Sequence, residues 1–252
     1  IEALGENALE KLKSNPEIID TLDFLDDKQK SDIKQDLVEN TVQAELAAMI
    51  CREGIGPGIV NKIYQKYGEK SVKVVKENPY ILCREVWGIG FHKADMIAQT
   101  VGIAPNSPYR VEAALIHTLS EAVNEGHTFL QPNDIVMRLI GERGLIEASG
   151  VSVSDIATAC KRLIDEGLCY RDGDAIYLYP LYIAECATAE AINRLLEENA
   201  ENYPEETLDI LIQQAEISFN VEYEANQRAA IKTALSSGIS VITGGPGTGK
   251  TT

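Results

Sequence analysis

Apolar residues recur at helical spacing along most of this chain and alternate at strand spacing in only a few short places. Val42, Leu46, Met49 and Ile50 mark one helical stripe, because residues three and four apart share a face at 3.6 residues per turn. Ile59, Val60, Ile63, Tyr64 and Tyr67 mark a second that closes at Gly68, and Ala94, Met96, Ile97 and Val101 a third that closes at Gly102. A glycine just past the last apolar position is a helix stop, and Pro57 suits a first helical turn, where no intrahelical N–H is needed. Beyond Pro105-Asn106-Ser107-Pro108, which reads as a linker, Val111, Leu115, Leu119, Ala122 and Val123 predict a helix ending at Gly126. A short apolar stretch, Thr128-Phe129-Leu130, and a helix opened by Pro132 come next. Ser152, with Asp155 three residues later, is a capping box for a helix that buries Ile156, Cys160, Leu163 and Ile164 and stops at Gly167. Leu168-Cys169-Tyr170 and Ala175-Ile176-Tyr177-Leu178-Tyr179 flank Asp172-Gly173-Asp174, the pattern of a β-hairpin. A long helix from about Ile183 to Asn199 follows, and Ile239-Ser240-Val241-Ile242-Thr243 reads as a short buried strand. The predicted fold class is mainly α.

Two of these helix starts are copies of one another. Gly54-Ile55-Gly56-Pro57-Gly58-Ile59-Val60 is matched by Gly88-Ile89-Gly90-Phe91-His92-Lys93-Ala94 at an offset of 34 residues. Each unit is a helix, a tight Gly-rich turn and a second helix. Glycine lets a backbone approach an anion closely, and a helix N-terminus favours negative charge. The arrangement resembles the helix-hairpin-helix motif of DNA-binding proteins, in tandem. That resemblance implies that the backbones of Gly54, Ile55, Gly56 and Gly58, and of Gly88, Ile89 and Gly90, hydrogen-bond DNA phosphates without reading sequence. Lys62 and Lys93 would add charge. A degenerate third copy precedes them: Asn15-Pro16 and Phe24-Leu25-Asp26-Asp27 align with Asn78-Pro79 and Trp87-Gly88-Ile89-Gly90 at an offset of 63. Its aspartates would repel phosphate, so its role is structural. The alternative for the intact copies is that they only pack.

Three helices followed by a β-hairpin, from 109 to 182, resemble a winged helix. The third of these helices carries Lys161 and Arg162 beside Asp155, Asp165 and Glu166, which favours a structural or protein-contact role over DNA reading. Charge along the chain is uneven. The net charge is −16, which argues against DNA binding by the surface as a whole. Residues 52–76 nevertheless carry Arg52, Lys62, Lys66, Lys70, Lys73 and Lys76 against Glu53 and Glu69, while 185–209 are strongly acidic. No apolar run approaches the ~18 residues of a membrane span. The five cysteines form no C-x-x-C pair, which suggests neither a disulfide framework nor a metal site and fits reduced, cytoplasmic surroundings. The scattered His92, His117 and His127 fit solvated or core-edge roles.

Gly244-Gly245-Pro246-Gly247-Thr248-Gly249-Lys250-Thr251 completes a G-x-x-x-x-G-K-[ST] phosphate-binding loop, with the predicted strand before it as such a loop requires. Its backbone would cradle phosphates, Lys250 would reach the β- and γ-phosphates, and the Thr251 hydroxyl would ligate Mg²⁺. Tandem hairpins, a winged-helix-like segment, Asn226-Gln227-Arg228 and the stretch through Thr252 together resemble the N-terminal region of a RecD-like helicase. More narrowly, they resemble the bacterial exodeoxyribonuclease V alpha subunits with a long N-terminal extension. The resemblance implies a superfamily one, 5′→3′ ATP-dependent DNA helicase of recombination and repair. It further implies that Gln227 contacts adenine, that Gly244, Gly245, Pro246, Gly247, Thr248, Gly249, Lys250, Thr251 and Thr252 bind ATP with Mg²⁺, and that Lys250 stabilises the transferred phosphoryl group.

The expected organisation is an N-terminal helical region (1–40), tandem helix-hairpin-helix (41–104), a winged-helix-like domain (109–182), and an acidic helix leading into the first strand and P-loop of a truncated α/β motor domain (183–252). The chain starts at Ile1 and ends in a motif, so it reads as a piece of a longer polypeptide whose fragment alone would not hydrolyse ATP. DNA, single-stranded or at a junction with duplex, is the expected partner. A protein partner would meet the winged-helix-like or acidic segment. The competing reading is a protein-interaction or motor-stabilising module that does not bind DNA.

Overall fold

The first long helix starts where Asp26 can cap it. The Asp26 carboxylate accepts the Gln29 backbone N–H at 2.7 Å, and Gln29 Oε1 accepts the Asp26 N–H at 3.1 Å, so two otherwise orphaned donors are satisfied reciprocally. In this computed structural model the described residues are 11–12, 15–51, 55–147, 149–197, 203–247 and 249–250. The chain divides into two units, Ile1–Tyr179 and Pro180–Thr252.

In the first unit, a 3₁₀ turn at Pro16–Thr21 precedes α1 (Asp27–Ile50), α2 (Pro57–Tyr67), α3 (Ser71–Glu77), the single turn α4 (Leu82–Glu85) and α5 (Phe91–Val101). The expected repeat is present to the residue: α2 and α5 both have 11 residues, both start from a glycine N-cap, and both end at a glycine with positive φ. Leu46 and Ile50 of α1, Val60 and Ile63 of α2, and Ala94 and Ile97 of α5 are buried as their spacing required. Met96, counted in the same stripe, is exposed, because Phe91, Ala94, Ile97 and Ala98 already fill the inward face of α5.

Next come α6 (Pro108–Asn124), β1 (Phe129–Leu130), α7 (Pro132–Ile140), α8 (Val153–Asp165), β2 (Cys169–Asp172) and β3 (Ala175–Leu178). The strands form an antiparallel sheet in the order β1-β3-β2, with Leu130 opposite Ile176 and Tyr170 opposite Tyr177. Three helices, a short first strand and a β-hairpin are formed here, the order of elements that the pattern predicted. Its capping box is formed: Ser152 Oγ accepts the Asp155 N–H, and Asp155 Oδ2 accepts the Ser152 N–H at 2.8 Å. One continuous core runs from Leu46 to Ile176 through both segments.

Polar groups also tie the two segments together. Arg110 of α6 grips Asp95 of α5 with two parallel bonds, Nε to Oδ1 at 2.7 Å and Nη2 to Oδ2 at 2.9 Å, and the Tyr80 hydroxyl donates to Oδ1 at 2.6 Å. Both charged side chains are only 13% exposed. Arg162 Nη1 of α8 lies 2.8 Å from Glu112 Oε1 of α6, off the hydrogen-bonding direction, and Arg84 lies 3.6 Å from Glu166.

The second unit takes in α9 (Tyr179–Glu197) from its second residue on, α10 (Glu205–Phe219) and α11 (Ala225–Ser236). The expected acidic helix therefore begins four residues earlier than its apolar pattern suggested, and Asn199 lies outside the described residues. Arg228 pairs with Glu216 and Lys232 with Asp209, linking α10 and α11. The strand expected at Ile239–Thr243 is not formed. The backbone there is irregular, with Val241 84% and Ile242 52% exposed. A strand is a non-local structure that needs a neighbour for its ladder, and the three described strands all belong to the first unit. No described helix is long and apolar enough to cross a membrane. The five cysteines are free thiols, with burial pushing Cys83 up to about 11 and Cys169 up to about 12.

The Asp95 cluster sets a testable term in stability. Burial alone would raise its carboxyl, but the Arg110 and Tyr80 hydrogen bonds and the Arg110 charge outweigh burial and hold it below the ordinary 3.8. Removing one partner of a buried pair costs about 3–5 kcal/mol, and the residual exposure places Asp95→Asn at about 3 kcal/mol, or a Tm lower by ~10 °C. Because the folded value is depressed, the wild-type advantage is complete above pH 3.8 and disappears as pH falls through the folded carboxyl's value. Thermal unfolding from pH 7 to pH 2 checks both; equal Tm values at pH 7 would refute it.

Candidate nucleic-acid interface

Each hairpin is a turn anchored from inside by one isoleucine. Ile55 is 4% and Ile89 3% exposed, and each precedes a glycine N-cap of nearly identical geometry: Gly56 at φ −94°, ψ 173° and Gly90 at φ −93°, ψ 178°. The second turn closes by the Ile89 N–H donating to Val86 O at 3.2 Å, with Gly88 left-handed at φ +93°. The side chains of Ile55 and Ile89 lie in the core, which leaves their backbone as the part that the expected phosphate contact would use. Gly54 lies outside the described residues, together with Arg52 and Glu53.

Glycine at 56 and 90 is explained by neither conformation nor packing. Both adopt extended backbone open to any residue, and a Cβ built on Gly56, Gly58 or Gly90 would meet nothing within 4 Å. What a side chain would obstruct is an approach from outside. Neither α2 nor α5 has a side-chain cap; in α2 Pro57 carries no N–H and the Ile59 N–H donates to Gly56 O at 3.0 Å, so Gly58 supplies the first-turn donor that no cap satisfies. The degenerate copy differs at this point. Like the second copy it has a 3₁₀ turn that begins at the proline of an Asn-Pro pair and then starts a helix, but the helix starts one residue earlier than the offset of 63 places it, and Asp26 supplies the cap itself.

Lys62 and Lys93 converge on one hairpin. Lys62 belongs to α2, yet its Nζ crosses to the second turn, donating to Trp87 O at 3.1 Å and lying 4.7 Å from the Trp87 ring centroid. Lys93 Nζ donates to the adjacent Gly88 O at 3.0 Å. Within the basic run, Lys66, Lys73 and Lys76 are paired with Glu85, Glu77 and Glu45, whereas Lys62 and Lys93 have no carboxylate partner among the described residues. Positive charge therefore concentrates at Trp87-Gly88. The Trp87 ring, 87% exposed, is the residue that sequence reasoning missed; the signal was an indole just before Gly-Ile-Gly that belongs to no helical stripe.

The second hairpin is held from behind by stacked rings. Phe91 stacks on Tyr80 and on His117 of α6, at centroid distances of 6.1 and 5.6 Å, and His92 meets His117 edge-on at 5.2 Å. Burial lowers the His117 value below 6.5 against the opposing charge of Glu121, with His92 reinforcing burial.

In the second unit, Gln227 Nε2 donates to Gly249 O at 3.0 Å while its Oε1 accepts the Glu224 N–H at 2.9 Å. Lys250 Nζ donates to Gly244 O and, at 2.7 Å, to Gly245 O. Gly247 and Gly249 are left-handed, at φ 76° and 72°. An open cleft of about 670 Å³ lies between α11 and this loop, lined by Tyr223, Gln227, Ile231, Ile242, Gly244 and Lys250 among others, a volume within the usual range for small-molecule sites. The residues thus fit a nucleotide: left-handed glycines suit a phosphate nest, and the glutamine and the lysine face one cleft. Pro246 sits in the loop's turn. Thr248, Thr251 and Thr252, with the expected Mg²⁺ hydroxyl, lie outside the described residues.

Against known families, residues 39–129 match the model of the ATP-dependent RecD2 DNA helicase HHH domain. The match runs from the last turns of α1 to β1 and so takes in both hairpins and α6. It supports a RecD-like helicase region for this part of the chain.

The geometry separates anchors from surface. Ile55→Ala and Ile89→Ala should each cost about 2–5 kcal/mol of unfolding free energy, while Lys62→Ala and Lys93→Ala should stay within about 0.5 kcal/mol of wild type. Urea denaturation measures all four; the reverse ranking would show that the turns are held by the lysines.

Proposed function

We propose that this chain is the DNA-engaging N-terminal region of a superfamily one, 5′→3′ ATP-dependent DNA helicase acting in recombination and repair. The observation that carries it is the pair of hairpin glycines, Gly56 and Gly90, which neither the backbone conformation nor the packing requires, at uncapped helix N-termini. The match to a helicase HHH domain supports it. Backbone N–H groups at Gly58, Gly90 and the first turn of α5 would donate to DNA phosphates, and Lys62 and Lys93 would add charge. Contacts of this kind position a protein on DNA without specifying sequence. They also reconcile DNA binding with a net charge of −16, because exposed charges beyond a Debye length of about 8 Å are largely screened at physiological salt.

ATP with Mg²⁺ is the proposed cofactor of the motor, supplying the free energy of phosphoryl transfer for translocation. Of this chain's residues, Gln227 would face adenine, the backbone from Gly244 to Gly249 would hold phosphates, Lys250 would neutralise their charge, and Thr251 would ligate the metal. The winged-helix segment has a different role in this reading. Arg162 of α8 is engaged by Glu112, and Arg84 by Glu166, which favours a structural use of α8 over DNA reading.

Two measurements test the proposal. Gly56→Asp with Gly90→Asp gives each hairpin the acidic cap of the degenerate copy, so unfolding stability should be unchanged or higher by a few tenths of a kcal/mol. DNA affinity should fall by about tenfold or more, and the salt slope should drop by about one for each phosphate that the hairpins no longer hold. Unchanged affinity and slope would leave only packing for the hairpins. For the nucleotide site, the exposed, unpaired segment before the loop leads us to expect half-saturation by Mg·ATP above ~1 mM, beyond most ATPase KM values, and no DNA-stimulated turnover. Calorimetry showing micromolar binding would overturn that.

A further inference from the structure

Trp87 is the only tryptophan of the chain and is 87% exposed. Tryptophan is normally among the largest contributors to a core or an interface. Here Val86 and Ile89 fill the core on either side, and the left-handed Gly88 turns the chain between them. Exposure alone belongs to the position, since Phe24, its counterpart in the degenerate copy, is also exposed. Charge distinguishes the two. Near the degenerate copy Lys34 is neutralised by the Asp20 carboxylate and Lys30 donates to the Asp20 carbonyl, whereas Lys62 and Lys93, neither of them paired with a carboxylate among the described residues, place two ammonium groups on the carbonyls of Trp87 and Gly88. The nearest acid in sequence, Glu85, is engaged by the Tyr67 hydroxyl at 3.0 Å and by Lys66 at 3.7 Å.

Lys62 Nζ lies over one face of the indole, 4.7 Å from its centroid, which leaves the opposite face for a base; an exposed ring beside two cations is complementary to a nucleotide, a flat base with a phosphate on each side. We propose that Trp87 is a stacking platform for one unpaired nucleobase, with the Lys62 and Lys93 ammonium groups taking the flanking phosphates. Each ammonium has further N–H donors beyond the one given to a carbonyl. In duplex the bases are already stacked on one another, so an indole reaches a free face only on a single strand or at a junction. Stacking is tolerant of sequence because every base has a π-face, as are the backbone contacts of the hairpin. This inference rests on the reading that the hairpins bind DNA phosphates, and it adds that the strand held at the second hairpin is unpaired.

The lone tryptophan makes the test direct. Its emission in the 252-residue chain is titrated with single-stranded oligo(dT) of about 20 nucleotides, longer than the ~4–16 covered by one such site, and with blunt duplex of equal length. Affinities are read in parallel by anisotropy of the labelled DNA. The single strand should quench the emission saturably, and duplex should bind without quenching. Trp87→Ala should weaken single-strand binding about five- to fiftyfold, leave duplex affinity within about twofold and leave Tm unchanged, while Trp87→Phe retains most of the affinity. If the single strand binds without quenching and Trp87→Ala is silent while Gly56→Asp with Gly90→Asp still weakens binding, the hairpin reading stands and the stacking platform falls. Equal loss on single strand and duplex also overturns it. Failure of every oligonucleotide to bind overturns both readings.

Discussion

The candidate interface depends on one half-buried carboxylate. Asp95 sits on α5, four residues after the helix start that forms the second hairpin, and it is gripped by Arg110 from α6 and by Tyr80 from the turn before α4. A carboxylate with so little exposure must be paired or neutralised. Once paired bidentately it admits little sliding or rotation of α5 against α6. Such a pair is weak evidence for net stability and better evidence for register. Register is what a backbone binding site needs, because N–H donors have no side-chain freedom with which to correct a misplaced helix. The stacked rings of Tyr80, Phe91 and His117 act on the same joint, so the first residue of the donor helix is held from two directions.

The three repeats show how one local geometry carries opposite electrostatics. In each, a turn delivers a helix N-terminus to the surface, where unpaired N–H groups and the helix dipole favour an anion. Asp26 supplies that anion from the chain itself and completes the first helix internally. Gly56 and Gly90 supply none. The difference costs each glycine-capped helix no more than a few tenths of a kcal/mol, so keeping the N-terminus open carries little penalty in folding. Lys62 then links the two intact hairpins, since it grows from the helix of the first and ends on the turn of the second. The two therefore act as one surface.

Local signals in the sequence were faithful, and long-range ones were not available in it. The helices of 42–101, the Ser152–Asp155 cap and the wing around Gly173 follow from spacing and turn chemistry within a few residues, and each formed close to where it was read. The hairpin pattern points to Ile55 and Ile89 for their backbone alone; that their side chains anchor the turns follows from burial by several elements, which their place between glycines does not reveal. The reach of Lys62 to Trp87 and the Asp95–Arg110 pair join residues 25 and 15 apart, and no periodicity encodes such meetings. The segment 239–243 failed for the same reason in reverse. Its composition is that of a buried strand, but a strand is defined by its neighbours, and composition does not provide them.

That failure bears on the phosphate loop more than on any other part. A phosphate nest works when its donors are held in place by the strand before it and the helix after it. Here the preceding segment is unpaired, and the loop is tied down instead by its own side chains: Lys250 on Gly244 and Gly245, and Gln227 on Gly249. Both residues are thus in the cleft that a nucleotide would enter, but with their polar groups already turned to the loop. Gln227 is further occupied in capping α11 through Glu224. Nucleotide binding would have to exchange these contacts for its own, which offsets part of the binding energy. At the hairpins Lys62 and Lys93 are likewise turned to carbonyls of the turn, but the helix N-termini have no side-chain cap and the glycines are unobstructed. On the proposed reading, the polar groups that meet an outside anion are those of the helix-hairpin-helix surface, ahead of those of the P-loop.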